Sequence, residues 1–324
     1  MPYQISTTRF FSAAHQLRLY DGSLEFDSDE LGVHTFDFAD LKEIRTSQVV
    51  QVGFEGRDPI TGRLVIDGDN ARILAASGET AIVRSEILTI VVGAAREIDY
   101  WSGYANVGGN IRSGNTDQID YTARLGTSRR SVKDRTAFDY IGAITRTDSV
   151  DTTNNHRVTM GWDRFLNKRL FVNVVGLEWY RDPFQNVANR WTVGAGLGYQ
   201  ILDSARTKLS ATLGPAWQQS DWDSVPPGGE ASAKSFALRT GLRLDHEITS
   251  AIDFHAYYNA FFTDEPSGKY THHFDTGASI DLIGGLDASI AWVWDRVQEP
   301  RPLSDGSFPK KDDTRLIFGL GWSF

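Results

Sequence analysis

Residues Ile252–Phe262 read IDFHAYYNAFF. Every second position is apolar or aromatic: Ile252, Phe254, Ala256, Tyr258, Ala260 and Phe262. Between them stand Asp253, His255, Tyr257, Asn259 and Phe261. A two-residue period puts these sets on opposite faces of a β-strand. The same pattern recurs in Leu286, Ala288, Ile290, Trp292 and Trp294, and in Trp191, Val193, Ala195, Leu197 and Tyr199. From Tyr100 onward the chain divides into such segments, each ~10–14 residues long.

A soluble sandwich alternates too, so three further features decide the class. The polar face is mostly Gly, Ser, Thr, Asn, Asp and Arg, whereas the apolar face is rich in Trp, Tyr, Phe and Leu. An apolar band with aromatic girdles around a polar interior is the lipid-facing arrangement. Connections alternate in length. Short turns are expected at Val132–Arg135, Leu166–Arg169, Asp203–Thr207, Ile248–Ala251 and Ile283–Gly285, with longer loops at Asp148–Asn155, Asp182–Val187, Asp221–Lys234, Thr263–Lys269 and Gln298–Asp313. Only the hairpin at Gly114–Thr116 breaks the rule. Finally, the chain ends RLIFGLGWSF, with Leu316, Phe318, Leu320, Trp322 and Phe324 on alternate positions. Phe318, Leu320, Trp322 and Phe324 are the expected assembly signal, to be met by the barrel-assembly machinery. The segments number roughly twelve, an even number that lets a barrel close without unpaired edges in lipid. The expected fold is an all-β, transmembrane antiparallel β-barrel with a small N-terminal soluble β-domain.

That N-terminal part differs in composition. Residues 1–99 carry 9 basic and 16 acidic side chains, and all 9 tryptophans lie beyond them. Two stretches within it resemble each other, GSLEFDSDE…HTFDFADLKEI from Gly22 and GRLVIDGDN…ETAIVRSEILTI from Gly62. Each leads through paired strands to an isoleucine near its end, Ile44 or Ile90. This predicts an SH3-like repeat. The expected division is an extension over 1–16, the β-domain over 17–92, a linker over 93–99 and the barrel over 100–324. The Asp27/Asp29 and Asp67/Asp69 pairs read as solvated turns, because the further oxygen ligands of a calcium loop are missing.

Several classes are excluded or disfavoured. Mean hydropathy is −0.33, and the longest apolar stretch, near Ile87–Ala95, falls short of the ~20 residues of a membrane helix. A net charge of −9 argues against nucleic acid, which needs clustered Lys and Arg. There is no cysteine, hence no disulfide or thiolate chemistry. The opening MPYQISTTRFFSAAHQ lacks the charged head and apolar run of a signal peptide, so export implies a signal removed or a start site elsewhere.

Two barrel stretches, WSGYANVGGNIRSGNTDQIDYTARLG from Trp101 and NRWTVGAGLGYQILDSARTKLSATLGPAW from Asn189 to Trp217, resemble the YdiY-like salt-induced outer membrane protein family. The resemblance covers about Trp101 to Phe324, and the SGNTD turn and GAGLGYQ strand are its most specific parts. It implies an outer-membrane location among outer-membrane lipids and supplies no substrate and no catalytic residue.

No GxSxG, HExxH or P-loop is present, and no catalytic, cofactor-binding or metal site is expected. His272 and His273, adjacent on a strand, face opposite ways and cannot share a metal. The Gly108–Gly109 pair fits close packing rather than phosphate binding. The inward face is rich in charge. Its candidate lumen-lining residues are Arg124, Asp139, Arg157, Arg190, Arg239, Arg243, Asp253, Asp275, Asp281 and Arg315, with Asp295 on the same face. Arg130 with Asp139, and Arg243 with Asp253, are expected to pair across tight turns. Such charges either line a pore and set its selectivity or brace the wall from within. The first makes a narrow passive channel for small solutes or ions. The second makes a closed barrel that presents a periplasmic β-domain to a cell-envelope partner.

Overall fold

A computed structural model describes residues 3–6, 16–20, 22–28, 32–54, 57–92, 97–112, 117–131, 133–167, 169–204, 206–249, 251–283 and 285–323. Ten strands precede the barrel: β1 (Tyr3–Ser6), β2 (Gln16–Tyr20), β3 (Ser23–Ser28), β4 (Gly32–Asp37), β5 (Glu43–Thr46), β6 (Val50–Phe54), β7 (Arg57–Asp67), β8 (Asn70–Ala75), β9 (Gly78–Val83) and β10 (Ile87–Val92). The segment expected as an extension, 1–16, thus contributes β1, which pairs with β5.

The internal repeat takes the form of an exchange. β2–β3–β4 and β7–β8–β9 are meanders, each followed by a short 3-10 turn (Phe38–Asp40 and Arg84–Glu86) and a last strand. That last strand joins the other meander: β5 pairs with β7, and β10 with β2. Ile44 therefore lies opposite Ile66, and Ile90 opposite Leu19, all four fully buried. Neither half closes a core alone, because each needs the other's isoleucine. The equivalent turns lie between the pairs Tyr20–Ser23 and Asp67–Asn70. The match of Gly22 with Gly62 is therefore out by one hairpin. Ile44→Ala and Ile90→Ala are expected to destabilise this domain by similar amounts, about 2–5 kcal/mol each, measured by urea unfolding.

The barrel closes with twelve antiparallel strands. They are β11 (Trp101–Arg112), β12 (Gln118–Arg130), β13 (Asp134–Thr147), β14 (Val150–Phe165), β15 (Leu170–Asp182), β16 (Val187–Asp203), β17 (Thr207–Trp222), β18 (Ser232–Thr249), β19 (Ile252–Phe262), β20 (Tyr270–Ile283), β21 (Leu286–Val297) and β22 (Asp312–Ser323). β22 pairs with β11 to shut the ring. The short turns and the N-terminal domain lie at one end of the barrel, its inner end, and the opposite end is the outer. Leu197, Leu213, Phe236 and Phe318 face outward and are 54–85% exposed, as a lipid-facing band requires. Leu320 and Trp322 share that face, whereas Phe324 lies outside the described residues. At Gly108 a Cβ would fall against the Phe318 carbonyl and the Thr122 hydroxyl, which is the close packing expected there.

One outer loop departs from expectation. β14 starts at Val150, so the long loop foreseen over Asp148–Asn155 is a two-residue turn. Asp148 and Ser149 take φ of 49° and 67°, the left-handed pair that suits a hairpin's twist. The hairpin at Gly114–Thr116 falls outside the described residues.

The ring's register repeats after six strands. Gly142 faces His156 as Ala260 faces His272, and His156 faces Arg181 as His272 faces Arg296. Trp179 then faces Trp191 as Trp294 faces Thr314, and Leu197 faces Leu213 as Leu320 faces Val107. The remaining interfaces agree: Val107–Ala123–Gly142 corresponds to Leu213–Thr240–Ala260. Side chains follow the register. Tyr140 Oη and His156 Nδ1 lie 2.9 Å apart, Tyr258 Oη and His272 Nδ1 2.8 Å. Each histidine stacks on its tryptophan, Trp179 or Trp294. Those indoles donate to Asn189 at 3.1 Å and Asp312 at 2.9 Å. Two matching aromatic clusters thus sit six strands apart on the outer half of the wall, where interfacial Trp and Tyr belong. Tyr140→Phe and Tyr258→Phe should cost nearly equal amounts, about 0.5–1.5 kcal/mol each, by urea unfolding in lipid vesicles.

Candidate functional site: the barrel lumen

Side chains from several strands and loops meet in the outer half of the lumen. At the outer mouth, Asn186 is fully buried with φ 59°. Its Nδ2 donates to the carbonyls of Ser224 (3.0 Å), Pro302 (3.1 Å) and Arg301 (3.3 Å), and its Oδ1 accepts from the Ser224 amide at 2.8 Å. One side chain thereby ties three outer connections together. Arg301 extends this cover by donating to the Pro266 carbonyl at 3.1 Å and lying over the Trp222 ring. Tyr180, Val187, Trp222 and Ala233 pack as an apolar layer beneath. Lys269 bonds Glu299 at 3.0 Å, and that carboxylate raises the ammonium's pKa above its ordinary value.

Below this cover lies an ion cluster centred on Asp295. The alternation of AWVWDRV aims Trp292 and Trp294 at lipid, so Val293, Asp295 and Val297 point inward. The Asp295 carboxylate is 2% exposed. It accepts from Arg157 Nη2 at 2.7 Å, His273 Nδ1 at 2.8 Å and Arg315 Nη2 at 2.6 Å. His273 is its cross-strand neighbour, but Arg157 reaches it from β14 on the far wall. Arg157 also binds Glu178 at 2.7 Å and lies over the Tyr180 ring. Buried charges persist when paired and hydrogen-bonded on several sides. Here the pairing crosses the lumen.

In the inner half is a cavity of about 210 Å³. Arg124 bonds Asp275 at 2.5 Å and Arg135 bonds Asp163 at 2.8 Å on its walls. Arg239 crosses from β18 to Asn173 on β15 (3.2 Å), and a Cβ at Gly176 would strike its guanidinium.

The expected lumen residues are therefore distributed as follows. Arg157, Arg190 and Arg315 belong to the outer half, where Arg157 also borders the top of the cavity. Arg190 is buried, with its Nε donating to Ser220 Oγ at 3.1 Å. Arg124, Asp139, Arg239, Arg243 and Asp275 line the cavity. Asp253 and Asp281 stand at the inner rim, opposite Ser279 and Asp287 respectively. Two expected pairs are not formed. Asp139 lies opposite Gly126, not Arg130, and accepts from Tyr104 Oη at 3.3 Å, while Arg130 covers the Phe165 ring. Arg243 faces Tyr257 and bonds Asp245 at 2.9 Å, leaving Asp253 several rungs away. Sequence reasoning passed over Glu178, Tyr180 and Asn186. The first two could have been found from the inward alternation of β15, but nothing local marks Asn186 as a tie between loops.

The N-terminal domain meets the inner turns. Lys133 Nζ bonds Asp58 at 2.9 Å, and Leu19, Phe38 and Ile87 border a small cavity with Arg130, Phe165 and Asp203. The lysine holds the Asp58 carboxyl below the usual carboxylate range. The contact is thus complete at neutral pH and is lost as pH falls through that lowered value.

The family described as "Protein of unknown function, DUF481" matches residues 105–324. No curated protein matches the chain. Among solved structures, the chain is similar to the NanC porin, with 10% identity and a TM-score of 0.40, over 69% of this chain and 98% of that one. The translocator domain of the autotransporter NalP from Neisseria meningitidis gives 10% and 0.38, over 68% and 87%. An outer membrane channel from Pseudomonas putida F1 gives 12% and 0.38, over 69% and 94%.

Proposed function

We propose, for a chain that belongs to the DUF481 family of proteins of unknown function, that its outer-membrane barrel is occluded and serves as an anchor. In this reading it holds the N-terminal β-domain in the periplasm, at the inner mouth, for a cell-envelope partner. The observation that carries it is the Arg157–Asp295 bond, which spans the lumen beneath the Asn186 cover. A pore needs a continuous wet path, and a buried cluster of ions paired with one another across the lumen is a poor place for one. The role is non-catalytic.

The test is conductance of the full-length protein in planar bilayers. Silence at every salt concentration is expected, and steady conductance would overturn the anchor. The second reading, a narrow passive channel, is favoured by the charged inner cavity and would then take its place. The finer assignment to YdiY-like salt-induced proteins rests on the SGNTD and GAGLGYQ stretches. It expects the amount of this protein to rise when cells are shifted to high salt, measured by immunoblot.

A further inference from the structure

The walls of the inner cavity hold two charges of opposite sign that form no salt bridge among the described residues. Arg124, Arg135 and Arg157 are each answered by a carboxylate within 2.8 Å, and Arg243 by Asp245 at 2.9 Å. Arg239 and Asp139 differ. Among the described residues Arg239 donates only to the neutral Asn173 amide, and Asp139 accepts only from the Tyr104 hydroxyl. Both line the cavity. Opposite charges act on both only from beyond salt-bridge distance, Arg243 and Arg124 on Asp139 and Glu178 and Asp163 on Arg239. A buried charge without a direct partner is costly, so two such groups around one void suit a guest that bonds both.

The wall near Arg239 is cut back for this. Gly176 faces Gly194 across β15 and β16, and the guanidinium lies where a Cβ of residue 176 would stand. Two residues from Gly194, the Thr192 hydroxyl also lines the cavity, is 3% exposed and has no hydrogen-bond partner. A guanidinium with a spare hydroxyl suits a carboxylate. On the other wall, Asp139 with Tyr104 suits an ammonium group. A lone anion or cation would bond one group and leave the other without a direct ionic partner, whereas a neutral dipolar guest completes both. The volume, about 210 Å³, is below the ~300 Å³ of drug-sized pockets and fits a molecule of amino-acid size.

We propose that this cavity is a binding site for a small zwitterionic solute of the amino-acid class. Its carboxylate is held by Arg239 and Thr192, and its ammonium group by Asp139. Binding here does not depend on whether the barrel conducts, so failure of this site leaves the anchor reading standing, and the reverse.

The test is calorimetric titration of the full-length protein in detergent with glycine, β-alanine and 4-aminobutyrate, beside acetate and methylammonium. Saturable binding is expected for the ω-amino acid whose length matches the site, and not for either singly charged probe. Arg239→Gln and Asp139→Asn should each weaken it by at least about tenfold, or ~1.4 kcal/mol, with folding checked by heat-modifiable gel migration. Equal binding of acetate or methylammonium, unchanged affinity in both folded variants, or no saturable binding of any amino acid would each overturn the site. If a variant does not fold, the comparison among probes on the native protein still decides.

Discussion

Replacing Asp295 by Ala is expected to destabilise the folded barrel by about 3–5 kcal/mol, the range for removing one partner from a buried ion pair. The cost comes less from the bonds lost than from what they leave behind. Arg157, His273 and Arg315 converge on this carboxylate from three strands, and Asp295 is 2% exposed. Without it, Arg157 retains Glu178, and Arg315 retains Asn155 and a distant Asp313. The like charges then face one another in a medium where they are poorly screened. Asp295→Asn should be milder, since an amide oxygen still accepts one of the three donors. The measurement is urea unfolding in lipid vesicles, read by tryptophan fluorescence. A loss below about 1 kcal/mol, the level of an exposed ion pair, would mean that the cluster is hydrated and does not block the lumen. The same variant in planar bilayers bears on function. An occluded barrel held shut by this cluster should show flickering conductance once the cluster is broken, where the native protein is silent.

Asn186→Ala is the second large effect, at about 2–4 kcal/mol. Two causes add. The half-buried carbonyls of Ser224, Arg301 and Pro302 and the Ser224 amide lose their partner, a cost bounded by the about 1–3 kcal/mol of a fully buried polar group left unsatisfied. Alanine must also hold φ 59°, a conformation Asn tolerates far better. Asn186→Gly should recover the backbone part alone. Asn186→Asp, nearly the same shape, should be worse than Ala, because it aims a carboxylate at three carbonyl oxygens. The readout is unfolding together with trypsin cleavage at Lys310 and Lys311, which should accelerate if this residue ties the loop over 298–311. If Asp behaves like Asn, the three carbonyl contacts carry no weight.

The Asp295 and Asn186 sites were unequally legible beforehand. The inward placement of Asp295, Arg157 and Arg315 follows from alternation, since a pleat places every second side chain on one face. That they meet does not follow. Arg157 and Asp295 are 138 residues apart, on opposite walls, and only the stagger with which the ring closes sets their relative height. The failed pairs make the same point. Arg243 and Asp253 flank a short turn, yet the register of β18 on β19, with its irregularity between Glu247 and Thr249, sets Arg243 opposite Tyr257. Asn186 carried no signal, because its partners lie in loops brought together by folding alone.

The six-strand repeat was half visible. GLGY at Gly196–Tyr199 and GLGW at Gly319–Trp322 stand in the sequence as a matching pair. The shared register around the ring, and the Tyr–His–Trp clusters that obey it, emerge only when the ladders are laid side by side. The N-terminal repeat behaves alike: resemblance is local, whereas the exchange of β5 and β10 is a choice of partners. By itself, then, the sequence determined what each short stretch can decide: strand type, the lipid and lumen faces, short inner turns and a soluble acidic domain before the barrel. The tertiary structure alone decided which inward charges meet, where side chains bridge the lumen and where it stays hollow. The reason is physical: alternation acts over two residues, whereas contacts across a barrel depend on the summed register of all its strands.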